Sequence, residues 1–197
     1  MVRLAVTGGI ACGKSRVAQY LQTRGIPVCE ADLLGHEALA VGSPVYGDVV
    51  AEFGRGILDE TGAINRGRLG AIVFAQPERL ARLNGLIHPV VQSAIADWLD
   101  AQEQGGCAVA AVIVPLLFEV NMAEGWDVII GVGCSPAVQL ARLMGRGLDE
   151  EACRQRVAAQ MPLAEKMKLS DFEIWNDGSE AQLEERVAAV LMSIEEK

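Results

Sequence analysis

Short apolar runs alternate with longer amphipathic ones along the chain. The runs Arg3–Thr7, Pro27–Glu30, Val109–Val114, Asp127–Val132 and Phe172–Trp175 are too short for helices and read as strands. Between them the apolar positions recur at helical spacing. In Glu78–Gln104 they fall at Leu80, Leu83, Leu86 and Ile87, and again at Val91, Ile95 and Leu99. Pro89 is expected to divide that stretch, because proline cannot continue the backbone ladder. A last helix is expected over Ser179–Glu195, capped by Ser179 and burying Leu183, Val187, Val190 and Leu191. The alternation predicts an α/β domain built on a parallel sheet. The stretch between the second and third strands is mainly helical and too long for an ordinary crossover, so it reads as a substrate-binding insert.

Composition narrows the class. Of 197 residues, 51% are hydrophobic and 22% charged, which excludes a disordered chain. A formal charge of −9 argues against broad binding to nucleic acid or anionic membranes, so an anionic ligand must be drawn by local charge. The five cysteines are an odd number with no C-x-x-C pair, which disfavours a disulfide framework or a zinc site and suggests a reducing cytoplasm. The longest apolar stretch, Cys107–Phe118, contains Pro115 and is too short to span a bilayer.

The first strand leads into Gly8-Gly9-Ile10-Ala11-Cys12-Gly13-Lys14-Ser15, with a helix-compatible stretch, Arg16–Arg24, behind it. This fits the phosphate-binding pattern of Gly, four residues, Gly, Lys and Ser or Thr, between strand and helix. Gly8 and Gly13 can take backbone angles closed to other residues, so successive N–H groups turn inward as an anion nest. The helix N-terminus adds partial positive charge. Lys14 is expected on the β- and γ-phosphates of a bound nucleotide, and the Ser15 hydroxyl on Mg²⁺. Cys12 reads there as a small filler or a modifiable thiol.

Other groups leave alternatives open. Asp32, closing the second strand, fits a base that orients an attacking hydroxyl or an N-cap for a helix starting at Leu33. Arg142, Arg146, Arg154 and Arg156 crowd the stretch 136–168, with Gly145 and Gly147 around Arg146. They read as the solvated face of a helical pair or as a mobile lid carrying guanidinium groups to a transferring phosphate. Asn176-Asp177-Gly178 is a turn signal.

The chain also resembles the dephospho-CoA kinase family along essentially its whole length. The likeness rests on Thr7-Gly8-Gly9-Ile10, Ala31-Asp32, Arg66 with Leu69 and Phe74, Ile87-His88-Pro89, and Val114-Pro115-Leu116-Leu117-Phe118-Glu119. It continues through Arg142 and Arg146, Gln160-Met161-Pro162, Glu165-Lys166, Asp171, and Asn176 with Gly178. Departures are Ala11-Cys12 for the usual Gly-Ser, Arg16 where Thr is frequent, and Glu30 and Trp175 where Asp is common.

The resemblance implies a three-layer P-loop fold with a five-stranded parallel sheet. It divides into a nucleotide-binding core (about 1–32, 105–135 and 169–197), a helical CoA-binding insert (about 33–104) and a helical lid (about 136–168). It implies ATP- and Mg²⁺-dependent phosphorylation of the ribose 3′-hydroxyl of dephospho-CoA by a cytoplasmic enzyme. The sequence leaves the oligomeric state open, with a monomer favoured. Asp32, Lys14, Arg146 and Arg142 are the expected catalytic groups. Gly8 to Arg16 and Asn176 are expected to bind ATP, with Ser15 on the metal. Asp32, Arg66, His88, Pro115, Leu116 and Glu119 are expected at the acceptor. His88 stays open between a general base, a structural place and a hydrogen bond to substrate, and Glu119 between the acceptor, a magnesium-bound water and a cap. The rivals are a kinase for another small molecule and a nucleotide-sensing scaffold without chemistry.

Overall fold

The structure, a computed structural model, describes residues 1–195, so the last two residues of the expected core lie outside it. Five strands form where the apolar runs lie: β1 (Val2–Gly8), β2 (Val28–Glu30), β3 (Val109–Ile113), β4 (Val128–Gly133) and β5 (Phe172–Trp175). They make one parallel sheet in the order β2-β3-β1-β4-β5. β1 pairs with β3 on one side (Leu4 opposite Ala111) and with β4 on the other (Leu4 opposite Val128). A central parallel strand is covered on both faces, hence its unbroken apolar run. The chain leaves β1 where the strand order reverses direction, the place where open α/β sheets bind ligands.

The chain divides into two compact units, Met1–Cys29 with Ala101 onward, and Glu30–Asp100. In the first, α1 (Lys14–Thr23) and α9 (Glu180–Glu195) bury Val17 and Leu21, and Leu183 and Val187, against Leu4 and Val6 of β1 and Ile130 and Val132 of β4. Ser179 caps α9 as expected: its hydroxyl accepts from the Gln182 N–H (3.3 Å), and the Gln182 side chain accepts from the Ser179 N–H (3.0 Å). The region 136–168 forms α6 (Pro136–Met144), α7 (Glu150–Ala158) and α8 (Leu163–Lys168) within this unit.

The second unit holds α2 (Ala31–Ala38), α3 (Tyr46–Phe53), a 3-10 turn (Arg55–Ile57), α4 (Arg66–Ala75) and most of α5 (Pro77–Gln104). Val49, Phe53, Ile57, Leu69, Val73 and Leu83 form its own core. Arg79 lies over the Phe53 ring at 4.7 Å while pairing with Glu52 at 3.1 Å.

Two expectations need correction. Pro89 does not divide the long helix: α5 runs unbroken through it. A proline removes one backbone hydrogen bond and crowds the carbonyl four residues back, a cost of about 3 kcal/mol. Here that carbonyl belongs to Gly85, which is exposed as Pro89 is, so water can serve it. Burial of Leu83 before the proline and of Val91, Ile95 and Leu99 after it offsets the remainder. Nor is Asp32 an N-cap: α2 begins at Ala31, two residues before Leu33, with Glu30 at the cap position, and Asp32 sits in its first turn.

Candidate nucleotide-binding site

β1 ends at Gly8 with φ of 137°, and a Cβ there would lie 2.0 Å from the Val132 carbonyl oxygen. Gly13, at φ of 109°, precedes α1, and a Cβ on it would lie 2.2 Å from Asn176 Nδ2. Both positions therefore require glycine. The four residues between them arch over the start of α1.

Every carbonyl of this arch accepts a hydrogen bond from the surrounding protein. Lys14 Nζ donates to Gly8 and Gly9 O, each at 2.9 Å. Gln139 Nε2 donates to Ile10 O (2.8 Å), Arg142 to Ala11 O (3.4 Å) and Asn176 Nδ2 to Cys12 O (2.9 Å). Gly13 O accepts from the Arg16 and Val17 N–H groups. The opposite pole is left open: the N–H groups of Ala11, Gly13 and Ser15 have no acceptor among the described residues. The first turn of α1 carries neither an acidic residue nor a side-chain cap. Carbonyls tied inward and N–H groups left outward make an anion nest at a helix N-terminus. Two other N–H groups of the arch are engaged: Ile10 donates to Gln160 Oε1 at 2.9 Å and Cys12 to Gly9 O at 3.2 Å.

Beside the loop lies a cavity of about 440 Å³ lined by Ser15, Arg16, Arg142, Arg146, Asn176 and Leu183, among others. Arg142, half-buried, also donates to Asn176 O at 3.0 Å and so braces both walls. Arg146 is exposed and has no partner among the described residues. Arg16 pairs with Glu180 at 3.1 Å. Arg154 does not join this group: it pairs with Glu150 on the exposed side of α7, the solvated arrangement. The Asp177 carboxylate is held below the usual range, chiefly by accepting from the Ser135 N–H at 2.6 Å.

Glu119 and Lys166 form a tie below the site. Lys166, fully buried, donates to Glu119 Oε1 (2.7 Å) and Pro115 O (2.8 Å). The same Oε1 accepts from the Met161 N–H at 2.9 Å, while Oε2 is buried without a partner among the described residues. Pro115 and Glu119 thereby fix the end of β3 to α8, whereas Leu116 is exposed.

Directly under the loop, the Cys134 thiol donates to Cys12 Sγ at 3.3 Å, both side chains being fully buried. That hydrogen bond, with the charges of Lys14 and Arg142 and against the effect of burial, brings the Cys12 thiol down to about 7. The same bond, reinforced by burial, pushes Cys134 up.

The remaining candidates lie in the helical unit. Asp32 and Arg66 are exposed, at the starts of α2 and α4, and neither has a partner among the described residues. His88 is half-buried on α5, and burial lowers its pKa. Sequence reasoning gave no role to Gln139, Cys134 or the Glu119–Lys166 tie. A buried glutamine in an amphipathic helix was the available signal for Gln139, which is only 6% exposed.

No group of three or more His, Cys, Asp or Glu able to hold a metal occurs among the described residues, and none of their helices is long and apolar enough to cross a membrane. The exposed Ser15 hydroxyl, without a partner among the described residues, suits Mg²⁺, which keeps most of its waters and takes few protein ligands.

A nest of this form at the switch point of a parallel sheet, opening on a cavity rich in arginine, defines a P-loop kinase. The dephospho-CoA kinase family model matches residues 2–182. A dephospho-CoA kinase of Thermosynechococcus vestitus is 43% identical over 189 residues, covering 95% of this chain and 92% of that protein. A crystal structure from Thermus thermophilus superimposes with a TM-score of 0.86 at 29% identity, over 98% of this chain and 96% of that one. A dephospho-CoA kinase from Campylobacter jejuni gives a TM-score of 0.72 at 28% identity over the same shares. The chain belongs to the dephospho-CoA kinase family, phosphotransferases that use ATP to phosphorylate dephospho-CoA in the final step of coenzyme A synthesis.

Proposed function

We propose that this chain transfers the γ-phosphoryl group of ATP to the ribose 3′-hydroxyl of dephospho-CoA with the residues named here, releasing ADP and coenzyme A. The observation that carries the assignment of the ATP site is the polarity of the loop, with its carbonyls satisfied inward and its N–H groups open. On that reading the Ala11, Gly13 and Ser15 N–H groups receive phosphate oxygens. Lys14 exchanges Gly8 and Gly9 carbonyls for the β- and γ-phosphates. The Ser15 hydroxyl holds Mg²⁺, which neutralises charge on those phosphates when bound. Asn176 and Arg142 line the nucleotide cavity, and Arg146, free to move, brings its guanidinium to the anionic transition state.

Asp32 orients the attacking hydroxyl and takes its proton as the new O–P bond forms. Its exposed carboxylate, uncommitted to any other described group, supports that role. Arg66 and His88, with Pro115, Leu116 and Glu119, are assigned to the acceptor side. His88 acts there as a neutral hydrogen-bonding group, which its lowered pKa supports. The reading extends to a monomeric cytoplasmic enzyme, and the five free cysteines fit a reducing compartment.

The test is a coupled ADP-release assay with ATP, Mg²⁺ and dephospho-CoA, with mass detection of coenzyme A and Asp32→Asn in parallel. Wild type is expected to form coenzyme A, and Asp32→Asn to lose about 10²–10⁴-fold in kcat, the range for a general base. Tight ATP binding without turnover of dephospho-CoA would reject the acceptor. Full turnover by Asp32→Asn would reject the base.

A further inference from the structure

We infer that Cys12 and Cys134 form an oxidisable dithiol built into the phosphate loop, whose conversion to a disulfide weakens nucleotide binding. Cys12 is the loop residue before Gly13, and Cys134 is the first residue after β4. Their sulfurs lie 3.3 Å apart, already in contact. A disulfide needs about 2.05 Å, so bond formation must draw the loop and the end of β4 together by little more than an ångström. The thiols of Cys107 and Cys153 are directed elsewhere, to Gln102 Oε1 at 3.8 Å and Leu148 O at 4.0 Å.

The surroundings favour attack by Cys12. Besides the Cys134 thiol, Gln139 Nε2 points at Cys12 Sγ from 3.8 Å, and the charges of Lys14 and Arg142 act on the same sulfur. A thiolate there is stabilised by donors and cations, while Cys134 stays protonated as the resolving thiol. Both side chains are fully buried, so the site selects a small oxidant such as a hydroperoxide and excludes bulky reagents.

The chemistry balances with hydrogen peroxide as oxidant. The Cys12 thiolate attacks one peroxide oxygen, the O–O bond breaks, and Cys12 becomes a sulfenic acid as hydroxide leaves. Cys134 sulfur then attacks Cys12 sulfur; the S–O bond breaks and water leaves with the Cys134 proton. Two thiols have lost two electrons and the peroxide has gained them. A thiol reductant reverses the step by exchange.

The effect on binding follows from the loop's construction. Cys12 O is held by Asn176, and Cys12 N–H donates to Gly9 O at 3.2 Å. Pulling its side chain toward Cys134 strains both bonds and turns the neighbouring N–H groups out of register with the phosphates. This consequence rests on the loop being the ATP site; the disulfide itself does not.

The test treats the reduced full-length protein with a small excess of hydrogen peroxide. Intact mass, peptide mapping and calorimetric ATP binding are followed before oxidation, after it, and after dithiothreitol. The expected result is loss of two hydrogens, a mapped Cys12–Cys134 link, ATP affinity weaker by about tenfold, and full recovery on reduction. Cys134→Ser is expected to bind ATP normally when reduced and to form no link at Cys12. Absence of the link while the half-buried Cys107 oxidises would overturn the proposal, as would a mapped link with unchanged ATP affinity. A reduced protein that fails to bind ATP would instead reject the reading of the loop, with the mass readout still deciding whether the dithiol forms.

Discussion

The phosphate loop and the helical unit carry their functional groups in opposite ways. In the loop, every carbonyl from Gly8 to Gly13 is held, by Lys14, Gln139, Arg142, Asn176 and the first turn of α1. In the helical unit, Asp32 and Arg66 stand exposed on the first turns of their helices with no partner among the described residues. The contrast follows from the chemistry asked of each. A nest of N–H dipoles works only if it is fixed before the anion arrives, since reorganisation would consume the electrostatic gain. A carboxylate that must take a proton has to be uncommitted until the acceptor is bound. The rigid part should therefore couple function to stability, and the open part should not.

The largest expected effect tests that coupling at its base. Lys166→Met removes the cation paired with Glu119, whose Oε2 already lacks a partner among the described residues, and leaves a carboxylate stranded beneath the site. A loss of about 3–5 kcal/mol is expected, toward the lower end because Glu119 keeps some solvent contact, and chemical denaturation measures it. On the other side of the comparison, Asp32→Asn and Arg66→Ala should leave the denaturation midpoint unchanged within about 0.5 kcal/mol. A large loss from either would show that those groups are structural after all.

The two arginines divide along the same line within one cavity. Arg146→Ala should lower kcat by about 10³-fold with little change in melting temperature, because no described group depends on it. Arg142→Ala should raise the KM for ATP and lower the melting temperature together, because Ala11 O and Asn176 O both lose a donor. If the two variants behave alike in steady-state kinetics and in thermal denaturation, the distinction between brace and mobile guanidinium fails.

His88 offers a smaller, pH-resolved test. Burial depresses its pKa below the ordinary 6.5, so the unfolded chain binds the proton more readily than the folded one. Its influence is absent at neutral pH, and stability is lost as pH falls below about 6.5. His88→Gln should flatten that limb in denaturation midpoints taken between pH 7.5 and 5.5. An unchanged slope would mean that His88 is as solvated when folded as when unfolded.

Much of this was legible in the sequence because its signals are local. Strand runs, the glycine-lysine-serine spacing and the Ser179 cap each act within a few residues. Pro89 misled for the same reason: the rule that a proline ends a helix is local, whereas burial along α5 on both sides of it is tertiary. The braces were illegible because they act across the chain. Gln139 reaches Ile10 and Lys166 reaches Glu119, over separations that no spacing pattern encodes. The Cys12–Cys134 contact is likewise a product of β4 lying beside β1.

Ala11 gives the finest test of what holds the loop. It is one of two described non-glycine residues at positive φ (60°), a conformation that costs a residue with a Cβ about 1–2 kcal/mol. Ala11→Gly relieves that strain. It also removes a buried methyl packed with Leu143 and Cys153, worth about 0.8 kcal/mol, and loosens the unfolded chain by about 0.4–1 kcal/mol. These terms nearly cancel, so the net change in stability should lie within about 0.5 kcal/mol of zero, with ATP affinity unaltered. The carbonyl bonds would then be what positions the nest. A fall of more than about 1 kcal/mol accompanied by weaker ATP binding would mean that the Ala11 side chain, wedged against Leu143, sets the arch, and that the hydrogen bonds only follow it.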